Sequence, residues 1–158
     1  MGAHLRERFE RPGAKRILAL DGGGVRGLLT IGMLARLEER LRQRSGDPHY
    51  RLCDYFDLIG GTSTGSIIAT GLALGMSVAD ISALYNAVIP KVFKRFSFHG
   101  IGIFAPMFLS APLANALSDQ FGARTLASED LCCGLAVHCK RIDTGSAWIL
   151  VNNPDWVY

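Results

Sequence analysis

A serine, an aspartate and an arginine set among glycines are the residues of this chain best spaced for chemistry, and they fall in two short stretches. The first reads Gly61-Thr62-Ser63-Thr64-Gly65. It follows an apolar run, Leu58-Ile59-Gly60, and precedes Ser66-Ile67-Ile68-Ala69-Thr70-Gly71-Leu72, whose small and apolar residues recur at helical spacing. Strand, sharp turn and helix are therefore predicted, with Ser63 at the turn. A side chain at Gly61 or Gly65 would collide with the neighbouring strand or helix, so a G-x-S-x-G elbow needs glycine at both positions. Ser63 would stand exposed at a helix N-terminus, where unpaired N–H groups and the macrodipole favour the negative charge that develops when a serine attacks a carbonyl.

The second stretch is Asp21-Gly22-Gly23-Gly24-Val25-Arg26-Gly27, entered directly from a predicted buried strand, Arg16-Ile17-Leu18-Ala19-Leu20. Successive glycines at a strand end leave backbone N–H groups uncovered and free to point at an anion. The same residues satisfy G-x-G-x-x-G, the mark of a dinucleotide site. Against that reading, Asp21 would aim a carboxylate at the pyrophosphate, and no strand-terminal acid stands about 20 residues on. The run 60–65 imitates the start of a phosphate-binding loop, but Ser66 occupies the place of the required lysine.

The elements that must position these residues follow from the pattern. Residues 1–14 read as a polar N-terminal arm ended by Pro12-Gly13. After the glycine loop, Thr30, Met33, Leu34, Leu37 and Leu41 recur at helical steps, with Arg36, Glu38, Glu39, Arg40 and Arg42 on the other face. Ser45-Gly46-Asp47-Pro48 breaks that helix and returns the chain to the second strand. The order strand, helix, strand, helix predicts parallel strands with both motifs at their carboxyl ends, so the glycine loop and Ser63 would face each other. A third helix is capped by Ser77 with Asp80, points Ile81, Leu84 and Val88 inward and is stopped by Pro90. A fourth opens at Ser110, carries Pro112 in its first turn and Leu113, Leu117 and Phe121 on its face, and closes at Gly122. The tail reads as two strands, 135–140 and 148–151, joined by a turn at Asp143-Thr144-Gly145. Between the third and fourth helices, residues 91–109 mix Lys91, Lys94 and Arg95 with phenylalanines. That stretch reads equally as a lid touching anionic headgroups and acyl chains or as a plain connection over the core.

Composition narrows the classes. The chain has 158 residues and is 49% hydrophobic, enough for the core of one domain. Its net charge of +3 is spread along the chain, which gives no case for nucleic acid as a partner. The four cysteines, at 53, 132, 133 and 139, show no metal-site spacing and read as reduced, mostly buried thiols. The N-terminus has no apolar segment of the secretory kind, and Arg6 stands where a myristoylation signal needs serine or threonine. No run of about 18 apolar residues could span a bilayer. The expected location is cytoplasmic, either free or peripheral at a membrane.

Taken in this order, Asp-Gly-Gly-Gly-x-Arg-Gly and then Gly-Thr-Ser-Thr-Gly resemble the patatin-like phospholipase family, and the similarity runs over about 15–152. The resemblance implies a three-layer α/β/α fold with a mainly parallel sheet, residues 15–158 forming the N-terminal portion of a catalytic domain cut before its last strands. It implies a serine lipid acyl hydrolase, of phospholipase A, lysophospholipase or esterase type, acting on phospholipid or another acyl ester with no cofactor and no metal. By the same resemblance Ser63 is the nucleophile, the N–H groups of Gly22, Gly23 and Gly24 form the oxyanion hole, Arg26 assists the anion, and Gly61 and Gly65 shape the elbow. Asp21 fits a structural role in its loop. The family pairs its serine with an aspartate in a downstream Asp-Gly motif. Here the one Asp-Gly pair is Asp21-Gly22; Asp119, Asp130, Asp143 and Asp155 lack the glycine. The base is therefore expected outside this chain, and weak activity or none within it. Two alternatives stand beside this: an esterase using His99 or His138 as base, and a non-catalytic module for lipid surfaces or protein contacts.

Overall fold

In the computed structural model, residues 3–92, 110–153 and 155 are described. Four strands, β1 (Ile17–Leu20), β2 (Leu58–Thr62), β3 (Gly134–Lys140) and β4 (Ala147–Val151), form one sheet in that spatial order. β1 and β2 run parallel with Leu20 opposite Gly61, and β2 and β3 run parallel with Thr62 opposite His138. β4 returns antiparallel to β3, Lys140 opposite Ala147. The turn at Asp143-Thr144-Gly145 allows this, with Gly145 in the left-handed region at φ 69° and Arg141 N–H donating to the Ser146 carbonyl at 2.9 Å. The result is an α/β fold with a mostly parallel sheet.

Helix α1 (Ala3–Glu10) occupies the stretch that reads as a polar arm. Leu5 and Phe9, four residues apart, turn one narrow stripe inward, and Leu5 is completely buried. The Arg8 guanidinium then reaches Asp57 at 3.1 Å and the carbonyls of Asp54, Phe56 and Cys132 at 2.9 to 3.3 Å. Two apolar residues among charges are too few to register as a periodic pattern, which is why the sequence shows an arm and the fold shows a docked helix.

After the glycine loop, α2 (Gly27–Ser45) ends where the sequence predicts, with Gly46 at φ 73° as its left-handed cap. Its buried stripe is Gly27, Ile31, Leu34, Glu38 and Leu41, rotated from the predicted one. Met33, expected inside, is 68% exposed, and Glu38, expected outside, is 3% exposed. Glu38 survives burial because its carboxylate accepts from Arg42 at 2.7 Å and from the Val78 N–H at 3.3 Å. That second bond anchors α2 to the first turn of α5 (Val78–Val92), where a helix favours negative charge. Ser77 and Asp80 cap α5 as predicted, Ser77 Oγ accepting the Asp80 N–H at 3.1 Å. α5 runs past Pro90 to Val92; a proline near a helix end removes a single intrahelical bond and does not stop the chain there.

A four-residue helix, α3 (Leu52–Tyr55), leads into β2 and has no counterpart in the sequence reading. α4 (Thr64–Ala73) follows β2 and packs on β1, β2 and β3; Ile68, Ala69, Leu72 and Ala73 are buried there with Ile59 and Leu135 of the sheet. α6 (Ser110–Phe121) closes at Gly122, φ 62°, as expected. Residues 93–109, which include the proposed lid contacts Lys94 and Arg95 and the candidate base His99, lie outside the described residues. Among the described residues no helix is long and apolar enough to cross a membrane.

Candidate active site

β2 delivers Ser63 and α4 starts at Thr64, so the serine occupies the strand-to-helix turn. Its backbone sits at φ 50°, ψ −126°, and among the described residues it alone has positive φ without being glycine. Such a conformation costs about 1–3 kcal/mol and persists where neighbours over-determine it. The Ser63 carbonyl accepts from both Ser66 Oγ at 2.5 Å and the Ser66 N–H at 2.9 Å, which pins the turn from below. The Ser63 side chain is exposed, and no described residue hydrogen-bonds to its hydroxyl.

The flanking glycines meet the steric demand read from the sequence. A Cβ on Gly61 would overlap the Gly65 carbonyl and lie 2.6 Å from the Ser66 nitrogen. On Gly65 it would overlap the Leu20 carbonyl oxygen and lie 2.9 Å from that of Asp21. The elbow is thus pressed against the end of β1, and the glycine loop lies on it. A Cβ on Gly22 would come 2.7 Å from Ser63 Cβ. The loop is held at three points. Gly22 N–H donates to Thr62 Oγ1 at 2.9 Å, Gly23 N–H donates to Thr64 Oγ1 at 3.3 Å, and the Gly24 carbonyl accepts from the Tyr85 hydroxyl. The Gly24–Arg26 turn is a single 3₁₀ turn in which Arg26 N–H donates to the Gly23 carbonyl at 3.1 Å, leaving the Arg26 side chain exposed.

Four contributors to this site escape sequence reasoning. Tyr85, 3% exposed on α5, packs where Gly27 has no Cβ and reaches the loop. Its signal was its place one turn after Ile81. Thr62 and Thr64 sit in the motif's variable positions. Asp57, 2% exposed, stands just before β2 and accepts from the Arg16 N–H at 2.8 Å as well as from Arg8 and Arg11, so it ties β1, β2 and α1 together. Burial raises its pKa, but the Arg16 N–H and the Arg8 and Arg11 guanidinium groups outweigh that and hold it below the ordinary carboxylate range.

The acids considered as bases are engaged elsewhere or unconnected to Ser63. Asp130 pairs with Arg124, and Asp143 pairs with Arg141, which lowers the Asp143 pKa and makes it a poorer proton acceptor. Asp119 is exposed on α6. His138 is exposed on β3 and lies in register with Thr62, the residue before Ser63. Of the cysteines, Cys53 and Cys133 are buried, and burial pushes the Cys133 thiol up to about 12; Cys132 is half-buried and Cys139 exposed, and all are free thiols. Among the described residues no His, Cys, Asp and Glu cluster could hold a metal.

A strained serine thus stands between strand and helix, under a glycine loop that comes from the neighbouring parallel strand. Residues 18–131 match the family model described as Patatin-like phospholipase, and the chain belongs to that family. It is 34% identical over 146 residues to a cGAMP-activated phospholipase of Escherichia coli (strain TW11681), covering 89% of this chain and 41% of that protein. It is 34% identical over 139 residues to a cGAMP-activated phospholipase of Vibrio cholerae, covering 82% of this chain and 39% of the relative. A cUMP-AMP-activated phospholipase of Escherichia coli is 49% identical over 77 residues, 49% of this chain and 22% of that protein. The chain thus spans about two fifths of the length of the first two relatives.

Proposed function

We propose that residues 15–158 carry the nucleophile half of a lipid acyl hydrolase of phospholipase A, lysophospholipase or esterase type. The observation that supports this most is the conformation of Ser63, φ 50° at the start of α4 with Gly22 packed on its Cβ. In this reading the Ser63 hydroxyl attacks the ester carbonyl and loses its proton to a base. The carbonyl oxygen becomes an oxyanion facing the N–H groups of residues 22–24 and the N-terminus of α4, with Arg26 free to approach a phosphate or the oxyanion. The alcohol leaves, and water then releases the fatty acid from Ser63. No step requires a metal or a cofactor. The substrate is a phospholipid or another acyl ester, met in the cytoplasm or at a membrane surface touched by residues 91–109.

The base is the part that residues 1–158 do not supply as an Asp-Gly motif after Ser63. General-base assistance is worth about 10²–10⁴-fold, so residues 1–158 alone should turn over a short-chain nitrophenyl ester slowly or not at all. A second reading, an esterase with His138 as base, is favoured by the pairing of His138 with Thr62. A third, a lipid-surface module without catalysis, predicts an inert serine. Incubation with a fluorophosphonate followed by intact-mass measurement separates them. An adduct on the native chain and none on Ser63→Ala supports the nucleophile; turnover that then disappears in His138→Gln supports the histidine. No adduct on either chain counts against an esterase complete within residues 1–158 and favours the module reading.

A further inference from the structure

Resting on the reading of Ser63 as nucleophile, we propose that Thr62 and Thr64 are positioning residues that hold the glycine loop in register with it. The two neighbours of the serine bind consecutive glycines: Thr62 Oγ1 accepts the Gly22 N–H at 2.9 Å and Thr64 Oγ1 accepts the Gly23 N–H at 3.3 Å. The backbone ladder between β1 and β2 ends with Leu20 opposite Gly61, short of both the loop and the serine. Past that point the two side chains continue the pairing that the backbone has stopped making.

The register they keep is a demanding one. With a Cβ on Gly22 only 2.7 Å from Ser63 Cβ, a small slide of the loop either clashes with the serine or carries the N–H groups away from it. The bonds also say which donors are open. In the free protein the N–H groups of Gly22 and Gly23 are satisfied by hydroxyls, while that of Gly24 has no partner among the described residues. Gly24 is therefore the first donor an arriving oxyanion meets. Those of Gly22 and Gly23 can share their protons between hydroxyl and oxyanion as three-centre bonds, so the hold is kept while the charge develops. Thr64, 6% exposed and β-branched, has little room to turn and is the stiffer of the two; Thr62 is exposed.

Thr62→Val and Thr64→Val keep the branched shape and remove the acceptor, and the serine variants at both sites restore it. The first readout is NMR amide exchange at Gly22 and Gly23 in residues 1–158, which needs no catalysis. Losing one net hydrogen bond should speed exchange about 2- to 10-fold at the glycine facing the altered threonine, with Thr→Ser near native. The second is fluorophosphonate labelling of Ser63, resolved into probe affinity and the covalent step. The covalent step should slow about 2- to 10-fold in the valine variants, with affinity unchanged and serine rescuing the rate. Unchanged exchange in the valine variants overturns the proposal, and so does altered exchange with an unaltered covalent step. Should native chain and Ser63→Ala alike ignore the probe, Ser63 is not activated within residues 1–158, and the exchange arm alone decides whether the threonines hold the loop. Thr62→Val, at an exposed site, carries the test if Thr64→Val does not fold.

Discussion

Ser63 holds a backbone conformation that glycine adopts freely and serine does not. Replacing it with glycine should relieve that strain, less the entropy glycine loses on folding, so Ser63→Gly is expected to be more stable by about 1 kcal/mol in urea unfolding. A functional serine that costs stability where it stands is the outcome to look for; a less stable glycine variant would mean the turn is not strained. The reverse change at Gly65 meets the Leu20 carbonyl, so Gly65→Ala should lose about 3 kcal/mol or more, or fail to fold, read by the same unfolding curve. The thiols give an independent check on burial. Cys139 is exposed while Cys53 and Cys133 are buried with raised pKa values, so a maleimide at neutral pH should label Cys139 first and Cys53 and Cys133 only on unfolding.

At the scale of elements, two buried carboxylates join pieces that the sheet alone does not. Glu38 fastens α2 to the start of α5, and Glu38→Ala leaves the Val78 N–H and the Arg42 charge without their partner. A loss of about 2–3 kcal/mol is expected, measured by chemical denaturation. Asp57 fastens β1, the entry to β2, and α1. Its pKa is lowered in the folded state, so its contribution is complete above the unfolded carboxylate value of about 4 and is lost as pH falls from there through the folded value. Asp57→Asn should be less stable by about 3 kcal/mol at pH 7 and show a flatter decline of stability as pH falls below about 4. A parallel decline in both chains would assign the acid sensitivity to other groups. What the sequence disclosed follows the same division. The elbow and glycine loop were legible because glycine at Gly61 and Gly65 is a steric requirement that leaves its mark on the letters themselves. α1 and Glu38 were not, since each depends on a long-range partner: the Arg8 side chain crosses to residues 54, 56, 57 and 132, and Glu38 is polar on a helix whose inward stripe is rotated by packing against α5. Tyr85 and the two threonines were hidden for the same reason, as their partners lie about 40 to 61 residues away.

For the whole molecule, the core joins the first helix, the elbow helix and the middle of the sheet in one apolar body: Leu5, Ile59, Ile68, Leu72, Cys133 and Leu135 are all buried within it. Leu72→Ala should cost about 2–5 kcal/mol, and because α4 begins beside Ser63, the fluorophosphonate reaction is expected to report the damage as well. The parallel pairing of β1 with β2 and the turn between β3 and β4 were anticipated from the alternation of strand and helix patterns, which has few compact solutions, whereas the place of β3 beside β2 was not read from the pattern.

The grip of Arg8 and the plug of Leu5 have a practical side for anyone expressing this protein. The family match begins at residue 18, and a gene trimmed to that boundary would discard α1 entirely. The shortened polypeptide would uncover a pocket shaped for a leucine, leave three carbonyls without their donor and strip Asp57 of its two arginines. Inclusion bodies from such a clone would be a fault of the cloning boundary, and a purification tag is better placed at the end farther in sequence from α1.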